Sequence, residues 1–407
     1  MFYRHKMHIK RIERLSISMF IYTFAIAIVS PVYPIFMRNV TGSDAAVGVI
    51  FGITSLFGLV FCVLSGEMMQ KYGRRMILKM ALATVCAGYV FLSFAGSMFD
   101  VVIVESMRKI ASTAAFLILG VLVRMYSRKN NLDNSESMFY TFGNLAWLVA
   151  PAVGGFVALK YGMDAIFYLA ALFVALSFAT LDWRHVHDRR PQGNVNFHYI
   201  RAYIMHKSFM PATYYLTLKS LAREVRRFVQ NRNLVLIYMS SFGLYMLFTM
   251  QMLYFPLILA SFNVNMGMIG LMVALLILPL IIFEIPLTRM SKKIKTKNYI
   301  VAGFMVSSAA ITLIYFFYGV YTIFALFMVS ALGAAMIEPF KDAYILKHTP
   351  AHKVDVFFGI YKTSQFLGYF VAPVIASMTI VFLGMQGMFL VIGLILLIFA
   401  VVASRLE

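Results

Sequence analysis

The decapeptide GEMMQKYGRR, residues 66–75, is a short basic segment between two long apolar runs. An α-helix needs about 20 mainly apolar residues to cross the hydrocarbon core of a bilayer. Residues 45–69 and 76–96, which flank and overlap the segment, each supply a run of that length. The segment is therefore predicted to form a tight turn that joins two membrane-spanning helices.

The whole chain has the composition of an integral membrane protein. Of its 407 residues, 61% are hydrophobic and 13% are charged, and the mean hydropathy is +0.82, far above that of an ordinary soluble domain. Twelve apolar runs are long enough to be spans, so we predict an all-α membrane protein. We number these predicted spans 1 to 12 in chain order: residues 15–37, 45–69, 76–96, 99–123, 138–159, 162–181, 234–259, 267–288, 299–318, 320–346, 355–380 and 383–403.

The positive charges give the predicted orientation. The chain has 36 Lys and Arg residues and a formal net charge of +20, which in a soluble protein would suggest a nucleic-acid partner. Here nearly all of these cations lie in the termini and in alternate connections, and connections rich in Lys and Arg are cytoplasmic as a rule. We therefore expect a multi-pass protein of the cell membrane, with both termini in the cytoplasm, membrane lipids around it and no nucleic-acid partner.

The two halves of the sequence repeat in one fixed, ungapped register. A single offset that joins four separated places indicates two duplicated six-span bundles. We predict one bundle at residues 1–181 and the other at 234–407. The basic cytoplasmic connection at 182–233 is either an interfacial helix or a solvated linker. The matched places are Pro34 with Pro256, Gly48 with Gly270, residues 70–75 with 292–297, and Pro151 with Pro373.

The segment 66–75 resembles the loop between spans 2 and 3 of the major facilitator superfamily, with Gln70 where Asp is usual. This resemblance implies two parallel six-helix repeats, a substrate site between them and alternating access by rocking of the halves. It also implies a cytoplasmic gate, in which charge contacts latch the outward-facing state. The gate residues would be Gly66, Gln70, Lys71, Gly73, Arg74 and Arg75, and the acids that could pair with them are Glu67, Asp133, Glu136 and Asp355.

Span 5 is rich in small residues around a proline. Small side chains let helices approach closely in lipid, and an internal proline removes a backbone hydrogen bond and kinks the helix. The pattern resembles the span 5 signature of the superfamily's proton-coupled exporters, with Ala150 where Gly is usual. It favours export, although ordinary helix packing would give part of the same pattern. The predicted packing and kink residues are Gly143, Pro151, Gly154, Gly155 and, in span 11, Pro373.

Ionisable residues inside spans are costly and are functional candidates for that reason. In span 4, Glu105, Arg108 and Ser112 share one helical face, and Arg108 stands at the place of the superfamily's span 4 arginine, which is associated with proton transfer. Protonation of Glu105 would release Arg108, so the pair is a predicted coupling element. A structural ion pair is the alternative. The second half adds Glu284, Glu338 and Asp342, either as titrating groups or as a network with Lys341 and Lys362.

A polar aromatic stripe at helical spacing in span 7 predicts part of a substrate cavity. In the superfamily, spans 1, 4, 7 and 10 line that cavity. Together with the many Phe and Met residues, it would suit an amphipathic organic molecule, including a cationic one, although aromatic stripes also serve helix packing. The predicted cavity residues are Tyr22, Tyr33, Ser112, Tyr238, Ser241, Tyr245 and Thr249.

The sequence has no nucleotide-binding loop, metal-ligand cluster or nucleophile elbow. We therefore expect no enzyme activity, no cofactor and no metal, and an ion gradient as the energy source. The favoured function is export of a small organic compound by proton antiport, carried out by a monomer. Two alternatives remain: an uptake or facilitative carrier for a sugar, organic acid or other nutrient, and a membrane sensor or scaffold that transports nothing.

Overall fold

The structure, a computed structural model, describes residues 2–126, 132–181, 183, 218–290, 296–349 and 354–406. Regular structure in these residues is entirely helical, which confirms the prediction of an all-α protein. Ten helices among them are long and apolar enough to cross a membrane. Most of the predicted connection, residues 184–217, lies outside the described part of the chain.

The helices of the first half follow spans 1 to 6. Gly42, Gly73 and Gly162 lie between consecutive spans and have φ values of +69°, +81° and +87°, a region that glycine enters without a Cβ penalty. Gly73 alone separates spans 2 and 3, as the basic segment predicted. Span 1 consists of Phe2–Ala27 and Tyr33–Thr41, and spans 2 to 6 are Asp44–Tyr72, Arg74–Leu92, Met98–Tyr126, Leu132–Tyr161 and Met163–Thr180.

The second half begins with a short helix in the connection and continues through spans 7 to 12. The 51 residues of Val354–Ser404 carry both span 11 and span 12, which are separated by the non-helical Gly384. The connection contributes Leu218–Gln230. Span 7 is Arg232–Thr249, the π-helical turn Met250–Tyr254 and Phe255–Ser261, span 8 is Met266–Leu275 and Leu278–Met290, span 9 is Thr296–Phe316 and span 10 is Val320–His348.

Span 1, predicted as one run, is broken over residues 28–32. Pro31 has no N–H to donate to the carbonyl of Ala27, the acceptor that a regular helix would give it. The Ser30 Oγ donates to that carbonyl instead, at 2.8 Å. The break recurs at the corresponding place of the second half as the π-helical turn Met250–Tyr254 of span 7, just before Pro256. The duplicated register therefore extends to the backbone irregularities of the first helix in each half.

Contacts divide the helices into two compact units. The first comprises Met1–Ser43, Val60–Arg190 and Leu259–Ile277. The second comprises Asp44–Leu59, Pro191–Ile258 and Leu278–Glu407. The units follow the two halves of the sequence except for two segments. The first part of span 2 packs in the second unit, and the end of span 7 with the first part of span 8 packs in the first.

Glycines of span 5 allow the close packing of the first unit. A methyl group on Gly154 would collide with the carbonyl oxygen of Ile28, in the break of span 1. A methyl group on Gly270, in the exchanged part of span 8, would collide with the carbonyl oxygen of Pro151 and lie 2.7 Å from the Cα of Gly155. Spans 1 and 8 therefore both pack against span 5 with backbone against backbone.

The exchanged part of span 2 is held in the second unit by a similar contact. A methyl group on Gly48 would collide with the hydroxyls of Tyr254 and Ser377 and lie 2.7 Å from the carbonyl oxygen of Pro373. The Tyr254 Oη donates to that carbonyl at 3.2 Å. The Ser377 Oγ donates to the carbonyl of Ala45 at 2.7 Å. Spans 2, 7 and 11 thus meet at one small residue.

Candidate functional site

An ion pair inside the first unit joins two residues one turn apart on span 4. The Arg108 Nε donates to the Glu105 Oε2 at 2.8 Å, and the Arg108 Nη2 donates to the Glu105 Oε1 at 2.7 Å. Glu105 is completely buried and Arg108 is 8% exposed. Two parallel charge-assisted bonds of this kind fix both side chains. The structure therefore joins the two residues that the sequence proposed as a pair.

Two tyrosines complete the surroundings of the guanidinium. The Arg108 Nη1 donates to the Tyr89 Oη at 3.1 Å, and the Tyr89 ring centre lies 4.9 Å from the guanidinium carbon. The ring of Tyr33, from span 1, lies 5.5 Å from the same carbon. An aromatic face attracts a cation at these distances. Tyr89, in span 3, was missed from the sequence, where its only signal is a lone phenol in an apolar helix.

The polar face of span 4 continues beyond the ion pair. The Tyr22 Oη of span 1 donates to the Ser112 Oγ at 3.1 Å. The Lys109 Nζ lies 4.0 Å from the Glu105 Oε1. Lys109 was also missed, although it stands next to Arg108 in the sequence. Glu105, Arg108 and Lys109 together carry one net positive charge.

The second unit contains a different charged cluster, between spans 10 and 11. The carboxylate of Asp342 accepts from the Lys341 Nζ at 2.9 Å, the Tyr361 Oη at 2.8 Å and the Lys362 Nζ at 3.1 Å. Lys341 is 1% exposed. Its ammonium also lies 5.3 Å from the ring centre of Tyr245. This arrangement corresponds to the network that was one of the two predicted alternatives for these residues.

The other two predicted acids of the second half are Glu338 in span 10 and Glu284 in span 8. Glu338 lies one turn before Asp342 on span 10, is partly buried, and acts electrostatically on Lys341 and Lys362. Glu284 lies within the helix Leu278–Met290 of span 8, and its side chain is outside the described part. A coupling role for any of these acids stays a prediction.

The charged clusters are not copies of each other. The register of the repeat places Arg108 opposite Ser330 and Asp342 opposite Gly120. At the place of the first ion pair, the second unit has a neutral bond from the Gln251 Nε2 of span 7 to the Ser330 Oγ of span 10, at 3.2 Å. Equivalent positions of the two halves therefore have an ion pair in the first unit and a neutral hydrogen bond in the second.

The span 7 stripe packs against spans 10 and 11. Tyr238 shares a 3.1 Å hydrogen bond with the Thr363 hydroxyl, and the Ser241 Oγ accepts from the Ser364 Oγ at 2.8 Å. The Thr249 Oγ1 donates to a carbonyl of its own helix at 2.9 Å. Of the seven predicted cavity residues, Tyr238 and Ser112 are partly exposed, and the others are buried: Tyr22, Tyr33, Ser241, Tyr245 and Thr249.

The predicted gate is described only in part. Gly66, Gln70 and Lys71 lie in the helix Asp44–Tyr72, but the side chains of Gln70 and Lys71 are outside the described part, as are those of the four acids proposed as partners. The Arg74 Nη1 donates to the Met125 Sδ at 3.2 Å, which connects the start of span 3 with the end of span 4. Arg75, partly buried, follows it. The charge latch stays a prediction.

The predicted packing glycines differ in how tightly they are enclosed. Gly154 and Gly155 leave no space for a methyl group, whereas a methyl group on Gly143 would make ordinary contacts, the nearest at 3.7 Å from the Met19 Cε. Pro151 and Pro373 both lie inside helices.

The sequence is similar to those of known membrane transporters. A sequence model of the Major Facilitator Superfamily matches residues 15–249 and 237–406. An uncharacterized MFS-type transporter of Methanocaldococcus jannaschii is 19% identical over 92% of each chain. The class B tetracycline resistance protein of Escherichia coli is 22% identical over 38% of each chain.

Solved structures share the fold at low sequence identity. The nucleoside transporter NupG has a TM-score of 0.78 at 12% identity, covering 97% of this chain and 99% of its own. A POT family transporter in complex with 5-aminolevulinic acid has a TM-score of 0.76 at 12% identity, covering 96% of this chain and 94% of its own. The described helices thus have the architecture of these transporters.

Proposed function

Because the chain belongs to the Major Facilitator Superfamily, and so is a membrane transporter of small molecules and not an enzyme, we propose that it exports small organic compounds in exchange for protons. The observation that carries this proposal is the buried pair of Glu105 and Arg108 in span 4. Burial of two charges is expensive unless geometry and hydrogen bonds compensate. A pair of this kind inside a span marks a functional site by default.

The pair has two chemically distinct states. With Glu105 ionised, its two oxygens hold the guanidinium of Arg108 against Tyr89. A proton on Glu105 removes the negative charge and one hydrogen-bond acceptor. The guanidinium of Arg108 then loses its ion-pair partner and one of its two hydrogen bonds to Glu105. Because Glu105 and Arg108 are anchored one turn apart, the change reorients side chains between spans 1, 3 and 4. Proton binding would in this way bias the alternating access of the transporter.

The proposal has further elements in both halves of the chain. Glu284, Glu338 and Asp342 are candidate proton sites of the second half, and the segment 66–75 is the candidate cytoplasmic gate. The likeness to a tetracycline resistance protein supports export. We further propose that the protein is a monomer in the cell membrane with cytoplasmic termini.

An uptake or facilitative carrier is the second candidate, and Gln251 is the observation that favours it. Nutrient carriers for sugars are expected to have amide side chains in the helices that line their cavity. Gln251 lies in the π-helical turn of span 7 and donates to Ser330 of span 10. Short π-helical turns in helices occur frequently at functional sites.

The test is transport by purified protein in proteoliposomes. A panel of lipophilic cations, organic acids and sugars is measured in counterflow, without a pH gradient, and in flux driven by a pH gradient. Export predicts movement of substrate against an opposing proton flux. Glu105→Gln should abolish the proton-driven flux and keep counterflow, whereas Asp164→Asn, at an exposed acid of span 6, should keep both. Unchanged proton-driven flux in Glu105→Gln would refute the coupling role, and flux that ignores the gradient would refute antiport.

A further inference from the structure

The short helix Leu218–Gln230 of the connection ends directly before a membrane span. Its sequence has four Lys and Arg residues and one acid. Asn231 follows it in an extended conformation and caps the next helix, because its Oδ1 accepts from the backbone N–H groups of Asn233 at 3.1 Å and Leu234 at 3.3 Å. That next helix begins at Arg232, the first residue of a candidate membrane span. The short helix therefore lies where the chain enters the membrane.

One aromatic side chain of this helix anchors it to the second unit. Phe228 is 2% exposed. Its ring centre lies 6.1 Å from that of Tyr238 in span 7 and 5.5 Å from that of Phe357 in span 11, with both pairs edge to edge or edge to face. Aromatic pairs in such arrangements attract each other beyond the effect of burial. The helix thus has a defined face toward the bundle, and its other faces have defined exposures.

A different face of the helix exposes two apolar side chains. Val225 is 38% exposed and Val229 is 61% exposed. Their spacing of four residues places them next to each other on the helix surface. A helix that lies in the membrane interface buries its apolar face at the boundary between headgroups and acyl chains. Two adjacent exposed valines beside the start of a span suit that boundary.

Two arginines border the valines. Arg226 is three residues from Val229 and three from Arg223, so the three side chains form a row of neighbours. Both arginines are exposed, and within the described residues neither side chain has a hydrogen bond or an ion pair. The acid of the helix, Glu224, pairs with Arg227 instead. Long Arg side chains keep their charged ends in the polar layer while their stems lie along apolar surface. The row therefore offers two guanidinium groups at the level of lipid phosphates.

The rest of the connection has no excess of negative charge to neutralise these arginines. Residues 184–217 contain five Lys and Arg residues and one Asp. The positive row therefore calls for an anion from outside the connection. The headgroups of anionic phospholipids are such anions, and the adjoining membrane span places them beside the helix.

We propose that the helix Leu218–Gln230 lies on the membrane surface and binds anionic phospholipids. Val225 and Val229 enter the boundary with the acyl chains, and Arg223 and Arg226 contact the phosphates. This selects the interfacial helix from the two alternatives for the connection. With the termini in the cytoplasm, the surface is that of the cytoplasmic leaflet, whose anionic lipids attract basic segments. The inference depends neither on the transported compound nor on proton coupling.

The test uses spin labels on the full chain in lipid vesicles. Cys62 and Cys86 are first replaced by alanine, and the label is then attached at Val229→Cys or, toward the arginines, at Gln230→Cys. Collisions of the label with oxygen report lipid, and collisions with a water-soluble nickel complex report water. In vesicles that contain phosphatidylglycerol, we expect nickel to reach the label at position 230 and not the label at position 229. In vesicles of phosphatidylcholine alone, nickel should reach both labels.

Removal of the two arginines tests the role of charge. Arg223→Gln combined with Arg226→Gln should expose the label at position 229 to nickel in phosphatidylglycerol vesicles. Because each cation near an anionic surface adds to the attraction, the preference for phosphatidylglycerol should fall about tenfold. The matched control is Lys160→Gln combined with Arg405→Gln, which removes two exposed cations elsewhere and should leave the label shielded.

Two results would overturn the proposal. If nickel reaches the label at position 229 in phosphatidylglycerol vesicles of the otherwise unchanged protein, the helix is part of a solvated linker, and the row of valines and arginines is left to an acidic protein partner. If shielding is equal in both lipids and in the arginine variant, the helix rests on the membrane through its valines alone and does not recognise anionic headgroups.

Discussion

Gly155 of span 5 and Gly270 of span 8 pack with their backbones in contact. A methyl group added to Gly155 would lie 2.8 Å from the Gly270 Cα, and one added to Gly270 would lie 2.7 Å from the Gly155 Cα. The register of the repeat maps this pair onto Ser377 and Gly48, which are also in contact in the second unit. The close contact is present in both units, but the second unit has a serine where the first has Gly155, and the Ser377 hydroxyl donates to the backbone carbonyl of Ala45.

The first prediction concerns the tightness of this contact. Gly270→Ala should destabilise the protein by about 1–3 kcal/mol, because the methyl group meets backbone atoms that cannot rotate away. Gly120→Ala is the matched control, since a methyl group there has nothing within 4 Å and alanine favours the helix by about 0.5–1 kcal/mol. Melting temperatures in detergent, followed by size-exclusion chromatography, measure both. Equal melting temperatures for the two variants would show that spans 5 and 8 do not pack this closely.

A second prediction separates the two partners of the ion pair by stability. Glu105→Gln leaves a buried guanidinium that cannot lose its proton, and removal of one partner of a buried pair costs about 3–5 kcal/mol. Arg108→Gln should cost less, because the Glu105 carboxylate keeps a second cation nearby, the Lys109 Nζ at 4.0 Å. Melting temperatures at neutral pH should therefore fall further for Glu105→Gln. The reverse order would mean that Lys109 does not compensate the charge of Glu105.

Sequence reasoning identified the architecture because its signals are local and repeated. The apolar runs and the glycine turn at Gly73 are read from neighbouring residues, and the offset between the halves recurs unchanged at four places. The break in span 1 was missed, although Pro31 and Pro34 stand close together in the apolar run, because length alone suggested a continuous helix. The π-helical turn Met250–Tyr254 lies at the position equivalent to residues 28–32, so both halves have an irregular backbone at the same place of their first helix.

The candidate site was predictable only in its charged part. Glu105 and Arg108 are conspicuous in an apolar helix, and their spacing gives the ion pair directly. Tyr89 reaches Arg108 from another span, so its role depends on how spans 3 and 4 pack. The contact of Lys341 with Tyr245 likewise joins distant spans, and no local pattern in the sequence encodes it.

The third prediction tests whether the Tyr89 hydroxyl stabilises Arg108. Tyr89→Phe keeps the ring beside the guanidinium but removes the oxygen that accepts from the Arg108 Nη1. A buried donor without its acceptor costs about 1–3 kcal/mol, so the melting temperature should fall. Tyr321→Phe, at a side chain that is 78% exposed, is the control and should leave it unchanged. An unaltered melting temperature in Tyr89→Phe would remove Tyr89 from the site.

The last prediction concerns the shared carboxylate of the second unit. Asp342→Asn removes the negative charge that holds Lys341 and Lys362, and Lys341 is almost completely buried. Because the Asp342 side chain is itself 36% exposed, water offsets part of the loss, and we expect the variant to be destabilised by about 1–3 kcal/mol. The double variant Asp342→Asn with Lys341→Met removes the buried charge as well and should recover much of that loss. If the double variant is as unstable as the single one, the ammonium of Lys341 is not the uncompensated charge, and Asp342 stabilises the helices through Tyr361 and Lys362 instead.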